Sequence, residues 1–140
     1  MRGLKTLIKL QKTRVDEQRQ VLAKLQAHLE RVQKDIANFE ALKERERVIF
    51  RKHPELGMTY GEFVKRAILK TQELEKSRQA ADSAVEIARD RLALLFEEQK
   101  RYEIAEENRR IEAQREEGRL ERINFDEIGS VSYTRKMKDK

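Results

Sequence analysis

Two histidines, His28 and His53, come first among residues able to do chemistry, because imidazole serves as base, acid or metal ligand near neutral pH. Placed on the long helices argued below, they stand too far apart to share a metal or form a dyad. Cysteine is absent, which removes disulfides, thiolate metal sites and cysteine nucleophiles, and argues against a small oxidised scaffold. No Gly-rich phosphate loop, nucleophile elbow or metal-ligand spacing occurs. The 26 acidic residues are interleaved with 32 basic ones, a pattern that supports exposed helix faces more than acid–base chemistry. A chain of this kind offers no water-excluding cleft. The expectation is a non-enzyme with no catalytic residue, cofactor site or metal site.

Charge placement carries more information. The first fourteen residues hold Arg2, Lys5, Lys9, Lys12 and Arg14 with no acid, for +5, and the last six hold +3, whereas the whole chain nets +6. The intervening residues are therefore slightly acidic. Folding the chain back on itself brings both basic segments to one end. Arg2, Lys5, Lys9 and Lys12 on one helix, with Arg119, Arg122, Arg135 and Lys136 on the other, are the expected docking charges. The plainer alternative is that terminal lysines only keep a helix end soluble. Nucleic acid is not the expected partner: Tyr133 stands near the basic end without an interleaved aromatic platform or groove-reading motif. A bZIP arrangement fails because the seam leads into a turn and a returning partner.

A second candidate surface is the column Ala80, Ile87 and Leu94, spaced by seven on an outer face of the second helix, with Ala84 and Arg91 beside it. An exposed Ile–Leu stripe marks a contact for a third helix, a partner or a second copy. The competing reading rotates the seam so that this column is internal.

The elements that must position these residues follow from composition and period. Charged residues make up 41% of the chain and hydrophobic ones 38%, and Ala, Glu, Lys, Leu and Arg together exceed half of it. That is the signature of long helices or a coiled coil, not a thick globular core. No uncharged run approaches the roughly 20 residues that cross a bilayer, and the N-terminal stretch has lysines threaded through it, so a soluble cytoplasmic protein is expected. The one proline, Pro54, and two of the five glycines, Gly57 and Gly61, cluster at 53–61, which predicts a turn there. Thr59 and Glu62 have capping-box spacing for the helix that follows.

Ile8, Val15, Leu22, Leu29 and Ile36 form one heptad column, and Leu4, Gln11, Gln18, Leu25, Val32 and Phe39 the other. Past Phe39 the apolar residues shift to Leu42 and Ile49, so the seam is expected to drift. The second helix carries Tyr60, Ala67, Leu74, Ala81, Ala88, Leu95 and Tyr102 in one column and Val64, Val85 and Leu92 in the other. The fold class is therefore all-α, two long helices (3–52 and 62–118 or beyond) in an antiparallel coiled-coil hairpin of roughly 75 Å. Residues 1–118 form the hairpin and 119–140 a helical extension with a basic C-terminal tail. Facing positions are expected to add up to 117, which sets Gln18 against Gln99; adding up to 110 would set Gln18 against Leu92 and bury an amide without a polar partner.

The opening Leu4-x-x-Leu7-Ile8-x-Leu10-x-x-x-x-Val15-Asp16-Glu17 and the ending Asp126-Glu127-Ile128-Gly129-Ser130-Val131-Ser132-Tyr133, on two charged helices joined by a short turn, resemble the FliJ family of the bacterial flagellar type III export apparatus. The resemblance spans the chain and rests on heptads more than on invariant residues. It implies a soluble stalk similar to the rotary-ATPase gamma subunit. Such a stalk binds the hexameric export ATPase and its regulator, engages the export-gate membrane protein and escorts substrate chaperones. It would sit at the cytoplasmic face of the inner membrane through that apparatus, without inserting into the membrane. Any ATP hydrolysis would belong to the partner. Injectisome counterparts share the architecture. Other readings are a homodimerising structural coiled coil with no secretion role and, less well fitted, a prefoldin-like chaperone subunit, whose β-hairpins this turn cannot hold.

Overall fold

A computed structural model describes residues 2–138, apart from the side chains of Arg2 and Lys138. Asp139 and Lys140, part of the expected basic tail, lie outside the described residues. The chain is all-α: α1 (Arg2–Lys52, 51 residues), a single 3-10 turn (Pro54–Leu56) and α2 (Gly57–Lys138, 82 residues), with no strand among the described residues. Breaker-free sequence explains the length of α1, and Arg51 and Lys52 in its last turn suit the negative end of the helix dipole.

The turn is shorter than 53–61. His53 is extended (φ −135°, ψ 72°), as the residue before a proline prefers, and its N–H reaches back to Ile49 O (3.0 Å) and Phe50 O (3.2 Å). Pro54 starts the next turn, where its missing N–H is harmless. Leu56 N–H donates to His53 O at 3.0 Å and Gly57 N–H to Pro54 O, so the 3-10 turn runs straight into α2. Thr59 and Glu62 therefore lie inside α2 and cap nothing. Neither Gly57 nor Gly61 uses a positive φ.

The chain divides into two compact units, Thr13–Phe96 and Met1–Lys12 with Glu97–Lys140. α2 passes through Gly118 and Gly129 without interruption, so the expected tail is helical as far as Lys138.

In the unit Thr13–Phe96, α1 and α2 run antiparallel. Phe50 and Tyr60 stack at 4.5 Å with a 7° interplanar angle, and Lys43 Nζ donates to Thr71 Oγ1 at 3.1 Å. Gln18 Nε2 donates to Ala88 O at 3.1 Å, and the Arg19 guanidinium lies 4.9 Å over the Phe96 ring. Val15, Val32, Ala67, Ala81, Val85 and Ala88 are buried. Leu22, Leu25, Leu92 and Leu95, expected inside, are half-buried, because two helices alone leave the outer edge of these longer side chains uncovered.

These contacts set the register near 110 and overturn the expected 117. Under 117 Gln18 would lie opposite Gln99, eleven residues or roughly 16 Å from Ala88. Phe50 would lie opposite Ala67 instead of Tyr60. The amide that seemed unpartnered finds a main-chain carbonyl, which has a second lone pair beyond its helical bond. The seam also holds its phase where it was expected to drift. Leu42 and Ile49 are exposed, while Lys43 and Phe50 keep the heptad positions. Lys43 does so by laying its stem along the seam, its ammonium 5.5 Å from the Phe39 ring centre.

In the unit of Met1–Lys12 and Glu97–Lys140, buried Gln11 donates through Nε2 to Glu98 Oε2 at 3.0 Å, again close to the 110 register. Leu4, Ile8 and Tyr102 are half-buried around it, and from Arg119 to Met137 every residue is exposed.

Candidate partner-binding surfaces

Within Thr13–Phe96, the column Ala80, Ile87 and Leu94 faces solvent, with Ile87 69% and Leu94 60% exposed. The rotated-seam alternative is thereby excluded: Ala81, Val85 and Ala88 take the inner face of the same helix. Heptad counting missed Leu69, 67% exposed, which lies eleven residues before Ala80 and so on the same side of α2 at three turns' remove. An eleven-residue spacing was the signal that could have found it.

Nearer the turn the inner face thins, because Ala67 and Thr71 are small and Lys43 fills only one side. An open groove of about 450 Å³ results on one flank, lined by Tyr60, Phe63, Val64 and Ile68 among others. A second groove of about 440 Å³ is lined by Phe39, Phe63, Arg66 and Leu69. Both are open troughs, suited to a side chain of a docking helix and not to enclosing a substrate.

Of the eight expected docking cations, the seven with described side chains do not converge. Lys5, Lys9 and Lys12 are exposed on the first turns of α1, and the Arg2 side chain lies outside the described residues. The first turn of α1 carries no acid, so Lys5 sits near the positive end of its dipole, a local cost. Glutamates of α2 offset it. Glu103 is held below its ordinary carboxylate value chiefly by the Gln99 amide, which donates to it at 3.0 Å, with Lys100 and Lys12 adding charge. Glu106 is lowered chiefly by Arg109, with Lys5 contributing.

Arg119 is committed to Glu116, with its Nη2 2.6 Å from Oε1 and Nε 3.2 Å from Oε2. Arg122, Arg135 and Lys136 are exposed farther along α2. With Lys5 beside Glu106, Arg119 lies thirteen residues on, roughly 20 Å, and Arg135 twenty-nine residues on, roughly 44 Å. Folding back alone was expected to unite these charges. The uninterrupted helix spreads them into an N-terminal cluster answered by glutamates and a separate cationic end. Sequence reasoning missed Glu98, Glu103 and Glu106 as partners, because their role depends on the register.

His53 Nδ1 lies 3.1 Å from Glu55 Oε1, and His28 is exposed on α1. Among the described residues no three His, Asp or Glu side chains group as metal ligands, and no helix is long and apolar enough to cross a membrane. Comparison with protein-family profiles, curated proteins and solved structures returns no match.

Proposed function

We propose that this chain is a non-enzymatic coupling protein of bacterial flagellar type III export. In this reading it is an antiparallel coiled-coil hairpin of the FliJ type, similar to a rotary-ATPase gamma stalk. It joins the hexameric export ATPase and its regulator to the export-gate membrane protein and escorts substrate chaperones. Its place is at the cytoplasmic face of the inner membrane, held there by the apparatus.

The observation that carries the reading is the long exposed end of α2. From Arg119 to Met137 every residue is exposed, so α2 continues as a charged single helix beyond the glutamates that feel Lys5 and Lys12. A stalk needs such an end: dispersed charges give contacts that are long-ranged, salt-screened and easily exchanged, whereas deep apolar anchors would fix it to one subunit. The exposed column Ala80–Ile87–Leu94 supplies a second, apolar contact for the gate or a chaperone.

The test is genetic and biochemical together. Deleting the gene should abolish motility and export of filament subunits, and tagged protein should retain the export ATPase. Normal motility in the deletion strain, with no ATPase retained, would refute the reading.

A further inference from the structure

We infer that the C-terminal part of α2, residues 116–137, is a self-association element that pairs antiparallel with the same segment of a second copy. Leu120, Ile123, Ile128 and Val131 are 49%, 40%, 63% and 54% exposed. At ~3.6 residues per turn they fall within about 140° of the helix circumference. That arc continues the face of half-buried Gln99, Tyr102 and Glu106 farther back, where Gln11 bonds the neighbouring Glu98 and the charge of Lys5 acts on Glu106. The same face of α2 thus carries exposed apolar residues beyond the stretch that Gln11 and Lys5 meet.

Charge selects the occupant. Glu116, Glu117, Glu121, Asp126 and Glu127 outnumber Arg119 and Arg122 in the first half of the segment. The second half, 128–137, holds Arg135 and Lys136 and no acid. Such a helix repels a parallel copy and complements an antiparallel one, acidic half against basic half at both ends, as a two-fold interface requires. When paired positions add up to 251, Leu120 meets Val131 and Ile123 meets Ile128 of the second copy. Asn124 then meets Glu127 near the dyad, and Arg135 meets Glu116, with Lys136 opposite Arg115 at the rim. The overlap is short, roughly 33 Å, so the dimer is a weak, concentration-dependent one. The pairing uses the same end of α2 that the proposed stalk offers to the ATPase, so the dimer is the form of the chain not engaged there, and its tests need no export component.

The chain has no cysteine, so introduced ones report alone. Full-length Leu120→Cys mixed with full-length Val131→Cys should form a mixed disulfide dimer under mild oxidation, and Leu120→Cys alone should not. Sedimentation of the unmodified chain should show a monomer–dimer equilibrium. Ile123→Asp with Ile128→Asp should weaken it roughly hundredfold with helicity unchanged, since both side chains are exposed in the monomer. Glu116→Lys should weaken it and Arg135→Glu in the same chain should restore it. A monomer up to roughly 100 µM, efficient linking of Leu120→Cys to itself, or a dimer that survives the double aspartate variant would each overturn the inference.

Discussion

Gln18 donates its side-chain amide across the helix pair to the main-chain carbonyl of Ala88, at 3.1 Å. One residue thereby reads the position of the facing helix, and it can do so because Ala88 carries only a methyl group at the contact. A larger side chain there would hold the amide off the backbone. Gln18 is 8% exposed, so without this bond its amide would be stranded.

The register has a direct check. Leu25→Cys with Val85→Cys should close a disulfide readily, because those positions face each other when the numbers add up to 110. Val32→Cys with Val85→Cys should not, because seven residues, roughly 10 Å, exceed the reach of a disulfide. Gln18→Leu should change stability by no more than about 1 kcal/mol, since Ala88 O keeps its helical bond. It should, however, let some of the 32/85 bridge form. Absence of that bridge in the variant would show that apolar packing alone fixes the register.

Much of the fold was legible before any coordinates. The heptad columns of both helices, the turn at Pro54 and the outward column at Ile87 depend on period and on breakers, which are local properties. The register was not legible. The argument for 117 weighed side chains against side chains and left out the backbone, yet the decisive acceptor is the carbonyl of Ala88. The same omission misled the reading near the turn, where Lys43 holds a seam position by its methylenes and its contact to Phe39. Glycine punctuation misled as well, since Gly57 and Gly61 are helical. The convergence of docking charges failed for a different reason: sharing one end of the fold was taken as closeness, whereas an unbroken α2 carries Arg135 and Lys136 far along the helix from Lys5.

Gly61, Gly118 and Gly129 all lie in α2, and a Cβ added at any of them meets no atom within 4 Å. None uses a backbone conformation that needs glycine. Replacing each by alanine should therefore stabilise the helix by about 0.5–1 kcal/mol, seen as a higher melting temperature by circular dichroism. A loss at Gly118 or Gly129 would point to a bend or partner contact that requires the bare backbone.

Acid should loosen the chain. Glu44, Glu75, Glu106, Glu107 and Glu116 are each held below the ordinary carboxylate value of 4.5, first by a hydrogen bond from an arginine three residues on. A depressed folded-state pKa contributes stability that is present above 4.5 and lost as pH falls through the lower folded value. The melting temperature should therefore hold from pH 7 to about 5 and decline below about 4.5. Because these pairs are exposed, added salt should weaken them and shrink the decline. A melting temperature flat down to pH 3 would show that the pairs contribute nothing.

The outward column should separate binding from stability. Ile87→Glu with Leu94→Glu places carboxylates where the side chains already meet water, so melting should move by less than about 0.5 kcal/mol. Retention of the export gate or a substrate chaperone should fall clearly. A large loss of stability would instead return these side chains to the interior and remove the surface from consideration.

Under the proposed export role the two cationic groups are rival docking sites for the ATPase, and separating them requires neutralisation rather than charge reversal. Lys5 and Lys12 contribute to the field at Glu106 and Glu103, so reversing them would set like charges together and disturb the helix pair itself. Glutamine at Lys5, Lys9 and Lys12 removes charge and keeps most of the stem. Glutamine at Arg135 and Lys136 does the same at the far end of α2, roughly 40 Å away. If the extended end of α2 is what enters the ring, the C-terminal pair should weaken ATPase retention and stimulation more than the N-terminal triple. The remaining binding of the unmodified chain should fall as salt rises from low to physiological strength, because exposed cations act through a screened field. The reverse order, with the triple variant weaker, would place docking on the paired part of the helices, where α1 begins. Equal binding and stimulation by both variants and the unmodified chain at two salt concentrations would leave these cations as solubility features, and charge docking would be abandoned.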